Sequence, residues 1–202
     1  MLYSARADAA VPWAETAGGV PGVSAETPLP SVEIYEAQWG GLIIKTELIT
    51  DSGGAATWRG GLGTETIIQL PSCADNFFLT VCVEASDLTS GGFAGGRPGS
   101  HNTVQLIMDG ESHSVEQSLI EERLKPGAKL CLWMGRGAGW GPPWKRDPAL
   151  VLADVLNGYV SLESAYKAYG VFIDPGGLTV KREATDRARK QLALAGTAHS
   201  TV

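Results

Sequence analysis

Glycine stands at every second position from 135 to 141, directly after the apolar run 130–134 and before a proline pair and an Asp-Pro step (KLCLWMGRGAGWGPPWKRDPALVLADVLNG, residues 129–158). The run reads as a buried strand. Asp147 is placed to cap a helix that starts at Pro148, where a missing N–H costs nothing. Between them, Gly135, Gly137, Gly139 and Gly141 form a segment with no Cβ on alternate residues, so another surface can approach it at backbone distance. The segment is not a nucleotide loop by its spacing. A dinucleotide fingerprint would need glycine where Trp140 or Pro142 stands, and no G-K-[ST] step occurs in the chain.

Two more glycine clusters precede it. Residues 51–63, DSGGAATWRGGLG, lie between two strand-like runs, LIIKTELIT and TETIIQL. Residues 90–100, SGGFAGGRPGS, follow the apolar run 77–85. The 26 glycines of the 202 residues are therefore concentrated in a few specified loops and do not signal a flexible low-complexity chain.

The alternation of VEIYEAQ predicts a strand after residue 31, turned by Gly40-Gly41 into a second strand. HNTVQLIMDG and ESHSV predict a hairpin with Asp109-Gly110 at its tip, and residues 124–127 turn the chain into the strand at 130–134. Glu121-Glu122 reads as a solvated charged stretch. Beyond Asp147 the pattern is helical. Ser161 caps SLESAYKAYG, where Leu162, Ala165, Tyr166 and Tyr169 fall on one stripe, and Gly170 is placed to end it. VFIDPGG reads as a short strand and turn, and Thr185 as the cap of a last helix. The expected fold class is α+β: a β-rich, sandwich-like sheet domain with glycine-rich loops, followed by C-terminal helices. Residues 1–30 lack core periodicity and read as an arm or linker ahead of a domain at 31–202. Two readings of the arm stay open: a mostly loose terminus, or one that Tyr3 and Trp13 anchor on a partner.

Net charge of −6 argues against a nucleic-acid-binding surface. No apolar run is long enough to span a membrane, and residues at the start do not read as a secretory signal. The expected location is cytoplasmic, with Cys73, Cys82 and Cys131 as reduced thiols.

The order and content of these motifs resemble the hydantoinase B/oxoprolinase family. Asp51, Ser52, Gly53, Gly54, Trp58, Arg59, Gly60, Gly61 and Gly63 match its D-S-G-G signature, with Ala56 in place of a third glycine. The segment GRGAGWGPPWKRDPALVLADVLNGYVSLESAYKAYGVFI resembles its C-terminal end, with Pro142 where many members carry aspartate. Asp87 and the following glycine loop match a third family segment, with Leu88 replacing an arginine. The likeness runs from about residue 28 to residue 194, the C-terminal portion of a family subunit.

The resemblance implies a subunit, or a fragment of a split or truncated subunit, of an ATP-dependent enzyme that opens hydantoins or lactams. The alternatives are a subunit of an acetone/acetophenone-type ketone carboxylase or a non-catalytic assembly module. In carboxylase relatives the metal-binding His and Asp residues lie in the N-terminal part, which these residues do not match. The isolated chain is therefore expected to be inactive and to hold no cofactor by itself. ATP and a divalent metal (Mn, Zn or Mg) are expected in the partners: a hydantoinase A-like ATP-binding subunit and the N-terminal half of a hydantoinase B-like subunit, in a hetero-oligomer.

Asp51, Arg59, Asp87, Arg97 and His101 are the polar residues on or beside the glycine loops that could touch a reacting group. Ser52, Gly53, Gly54, Gly135, Gly137, Gly139, Trp140, Gly141 and Arg146 are the loop residues that could face substrate or a partner. Two readings of this set stay open. In one the aspartates accept loop N–H bonds and pair with the arginines to fix the corners. In the other Arg59 or Arg97 holds a carboxylate or phosphorylated intermediate with paired N–H donors. His101, His113 and His199 have no ligand-like spacing.

Overall fold

The computed structural model describes residues 31–72, 77–81, 91–115, 119–135 and 137–198. The arm expected at residues 1–30, Asp87, Arg136, Cys73, Cys82 and His199 lie outside them.

The chain is α+β, as expected. Five antiparallel strands form the main sheet: β1 (Leu42–Leu48), β2 (Thr64–Gln69), β4 (Thr103–Met108), β5 (Glu111–Val115) and β7 (Lys129–Met134). Their order is β1-β2-β7-β4-β5. The β4–β5 hairpin turns at Asp109 and Gly110, both with positive φ (54° and 80°), the conformation a two-residue hairpin turn requires. A separate pair, β3 (Phe77–Val81) with β6 (Leu119–Leu124), is also antiparallel. Glu121 and Glu122 thus belong to a strand, which the charge of that stretch concealed.

Register places Ile43, Ile68, Leu130, Leu132 and Val104 on one face of the sheet. Tyr35 packs against that cluster. Leu79 of β3 and Leu124 of β6 pack with Leu70, Leu106 and Ala128.

Residues 32–39 are a helix, α1 (Val32–Trp39), where the sequence pattern suggested a strand. The ends explain the difference. Ser31 Oγ accepts from Ile34 N at 3.3 Å, and Gly40 takes the left-handed conformation (φ 69°), donating to Glu36 O. Caps at both ends outweigh a short alternation of apolar residues. Glu36 also reaches back to accept from Ile43 N on the edge strand β1 (2.9 Å).

After a 3₁₀ turn at Pro143–Lys145 come α2 (Pro148–Leu156), α3 (Leu162–Lys167), the small β8 (Ile173–Asp174) and β9 (Thr179–Val180) pair, and α4 (Arg182–Ala198). Asp147 and Ser161 cap α2 and α3 as the sequence predicts, accepting from Ala149 N at 2.8 Å and Ser164 N at 3.0 Å. The expected α3 stripe is split. Ala165 and Tyr169 are buried, whereas Leu162 and Tyr166 are exposed. Thr185 does not cap α4, which begins three residues earlier, at Arg182. It is buried, and its Oγ1 accepts from Phe172 N at 3.0 Å. Val151, Val160, Ala165, Ala168, Tyr169 and Val171 make a second core between these helices, and Ala55 of the first glycine loop inserts into it.

Candidate functional site

The three glycine loops leave the sheet layer and meet between it and the helices. Their backbones close a hydrogen-bonded circuit. Gly54 N donates to Gly137 O (2.9 Å), Gly139 N to Arg97 O (3.0 Å), and Arg97 N to Ala55 O (2.9 Å), so each loop donates to the next. Further bonds run Gly137 N to Gly61 O, Phe93 N to Gly139 O, Gly141 N to Phe93 O and, reciprocally, Trp58 with Trp140. Three backbones this close leave no room for side chains, the requirement that also puts glycine on the axis of a triple helix. A Cβ on Gly60 would lie 2.0 Å from Gly137 O, and one on Gly96 2.2 Å from Gly139 O. Of the alternate glycines in 135–141, Gly139 faces backbone, since a Cβ there would lie 2.5 Å from Gly54 O, whereas Gly135 and Gly141 face the side chains of Asn102 and Thr57.

Below the circuit lies an ionic cluster. Asp154, buried on α2, accepts from Arg146 Nη2 at 2.8 Å and lies 3.4 Å from Arg59 Nε. The second contact is electrostatic without hydrogen-bond alignment. Carbonyls and a ring meet other parts of the guanidinium groups: Arg59 Nη1 donates to Gly60 O (2.8 Å), Arg146 Nη1 to Thr57 O (3.2 Å), and Arg59 sits 5.6 Å from the Tyr159 ring centre. Arg189 of α4 donates to Arg146 O (2.6 Å) and Tyr169 O (3.2 Å). Burial among these carbonyls holds the Arg189 pKa below its ordinary value, with Asp147 and Asp186 opposing the shift.

Of the two readings of the polar loop residues, this geometry fits the architectural one for Arg59 and Arg146. Among the described residues, however, the carboxylate they pair with is Asp154 and not Asp51. Asp154 was missed in the sequence, although it is the one charge in the apolar helix PALVLADVL and stands three residues from the core residue Val151. Asp51 does accept a loop N–H bond, from Ser161 N (2.8 Å), while its own N–H donates to Tyr159 O (3.0 Å). It sits at φ 60°, a left-handed conformation that Asp tolerates better than most residues. Ser52 is buried, donates to Ile49 O and accepts from Gly63 N (2.9 Å). These bonds occupy the hydroxyl structurally.

Trp140 stacks on the exposed Phe93 with ring centres 5.9 Å apart. Gly135 N donates to Asn102 Oδ1, and Gly141 takes a positive φ of 79°. His101 is exposed just before β4. Among the described residues no group of three His, Cys, Asp or Glu could hold a metal ion.

One cleft of about 220 Å³ opens beside the circuit. Asp51, Gly53, Arg97, Ser100, Ser164 and Tyr169 are among its lining residues. The structure thus brings together Asp51, Ser52, Gly53, Gly54 and Arg97 there. It takes Arg59 and Arg146 away into the ionic cluster. Arg97 is exposed, and its backbone is fixed in the circuit on both its N–H and C=O sides. Ser100 Oγ is buried without a hydrogen-bond partner among the described residues.

A compact α+β unit whose three glycine loops interlock by backbone contact is the architecture defined here, and comparison places it among known proteins. The sequence model of the hydantoinase B/oxoprolinase family matches residues 5–143, and the chain belongs to that family. It is similar to the caprolactamase subunit beta of Pseudomonas jessenii, 34% identical over 152 residues that make up 72% of this chain and 26% of that one. The crystal structure of the ATP-dependent caprolactamase from the same organism superposes with a TM-score of 0.72 at 28% identity, covering 92% of this chain and 33% of that chain. A nucleotide-free acetone carboxylase shares the fold (TM-score 0.83, 20% identity), over 96% of this chain and 30% of the other. The chain therefore spans between a quarter and a third of the length of these proteins.

Proposed function

We propose that this chain forms the C-terminal portion of a hydantoinase B-type subunit in an ATP-dependent enzyme that opens cyclic amides, a lactam or a hydantoin. The observation that carries the reading is the 34% identity to caprolactamase subunit beta. The relative's activity belongs to a protein about four times as long as the matched span, and it reaches this chain only as part of such an assembly. An ATP-binding companion subunit and the remainder of the hydantoinase B-type subunit would supply nucleotide and divalent metal.

Within that assembly the glycine circuit is a rigid platform. Its amides are spent on carbonyls: the N–H groups of Gly54, Gly60, Gly96, Gly137, Gly139 and Gly141 all donate to backbone oxygens. A phosphate cradle needs such donors free. Among the described loop residues, Arg97 is exposed and lines the cleft, where paired N–H donors suit the carboxylate that ring opening produces.

The test is to replace the matching span of caprolactamase subunit beta with this chain, reconstitute the enzyme with its companion subunit, and follow ADP release and ring opening on lactams and hydantoins. ADP release coupled to ring opening is expected. Turnover confined to acetone and bicarbonate would give the chain to ketone carboxylation instead. Assembly without any ATP-dependent turnover would refute the reading.

A further inference from the structure

Helix α2 is built inside out. Its only charged residue, Asp154, points into the core beside Val151, and Val155 packs against the same core. At 100° per residue the opposite side of the helix carries Ala149, Leu150, Ala153 and Leu156, a stripe without a single polar side-chain atom. All four are exposed, with Leu150 at 43% and Leu156 at 57%. A surface helix normally turns charged or polar residues outward, and a helix apolar on every side is an interior helix. On the neighbouring α3, Leu162 and Tyr166 are also exposed, four residues apart on one face of that helix.

We infer that the outer face of α2, with Leu162 and Tyr166 of α3, docks the remainder of a hydantoinase B-type subunit, the polypeptide that relatives carry beyond the span matched here. This inference rests on the proposed function. The occupant follows from chain length. In the two solved neighbours the same fold fills only 30% and 33% of a chain, so each has more than twice as much further polypeptide attached to it. The stripe is what such attached polypeptide would cover: flat at Ala149 and Ala153, ridged at Leu150 and Leu156, and free of any charge that burial would strand.

The experiment pairs this chain with caprolactamase subunit beta lacking the matched span, as separate polypeptides, and measures association by light scattering and titration. The wild-type chain is expected to form a 1:1 complex. Leu150→Glu with Leu156→Glu should weaken it by roughly 100-fold or more, as loss of central apolar anchors does. Both positions are exposed in the free chain, so the variant should keep the wild-type thermal midpoint; Ala153→Arg is a second, single-site disruption of the same stripe. Binding within threefold of wild type for both variants would overturn the inference, as would absence of any wild-type complex. A wild-type dimer that the variants dissociate would assign the face to a second copy instead. Protection of amides 150–156 from hydrogen exchange that disappears on deleting residues 1–30 would assign it to the chain's own N-terminal segment. Complex formation insensitive to the variants leaves the proposed function standing, whereas a sensitive complex without ATP-dependent turnover in the reconstituted enzyme removes that function and leaves the docking face.

Discussion

Arg146 Nη2 lies 2.8 Å from Asp154 Oδ2, and both side chains are almost wholly buried, at 1% and 8% exposure. The pair ties the exit of the third glycine loop to the helix that follows it. Arg59, from the first glycine loop, adds a second guanidinium to the same oxygen. One carboxylate thus organises two loops that are distant in sequence.

Asp154→Ala should destabilise the chain by about 3–5 kcal/mol, because it leaves two buried cations facing each other without an anion. Urea denaturation of the variant beside wild type measures this. A loss under about 1 kcal/mol, the scale of an exposed ion pair, would show the cluster to be solvated.

Thr185→Val keeps shape but removes the oxygen that accepts from Phe172 N. Because Thr185 is 1% exposed, the stranded amide should cost about 1–3 kcal/mol. The Phe172 amide should also exchange with solvent faster, a change that a purely steric effect at residue 185 would not produce.

Legibility varied with the kind of signal. Asp147-Pro148, Ser161 and Asp109-Gly110 each carry their reason locally, in a cap or a turn, and the structure places them as expected. The glycine loops were visible as tight contacts, but not what they touch, since the contacts of Gly54 with Gly137 and of Gly139 with Arg97 depend on three separated segments meeting. Residues 32–39 misled because a short apolar alternation was weighed above Ser31 and Gly40, which define a helix from its ends. Arg59 and Arg146 were visible as candidate site residues, yet their burial depends on Asp154, a partner 95 and 8 positions away in the sequence.

Cys131, on β7, is buried, and desolvation pushes its thiol pKa above the ordinary 9.0, with the neighbouring Glu65 carboxylate adding to the shift. The folded state therefore favours the protonated thiol. Its contribution to stability is complete below pH 9.0 and is lost as pH rises through the higher folded value. Alkylation by iodoacetamide at pH 8, mapped to the Cys131 peptide, should be slow in the native chain and fast in urea. Equal rates would contradict the burial.

The isolated chain should bind neither ATP nor a divalent ion tightly. The amides of Gly54, Gly60, Gly96, Gly137, Gly139 and Gly141 are already hydrogen-bonded to carbonyls, and the described residues assemble no metal-holding group. Calorimetric titration with Mg-ATP, Mn²⁺ and Zn²⁺ checks this, and a stoichiometric site of micromolar affinity would overturn it.

The central claim is that the glycine loops exist to bring three backbones into contact, and Gly60→Ala against Gly91→Ala tests it most directly. A Cβ on Gly60 would sit 2.0 Å from a backbone oxygen, while one on Gly91 meets nothing within 4 Å. Neither loop partner at position 60 is a flexible side chain that could move aside. Thermal unfolding by calorimetry should show Gly60→Ala failing to fold or melting more than about 10 °C below wild type, with Gly91→Ala within about 2 °C. A Gly60→Ala chain that melts with wild type would contradict the account.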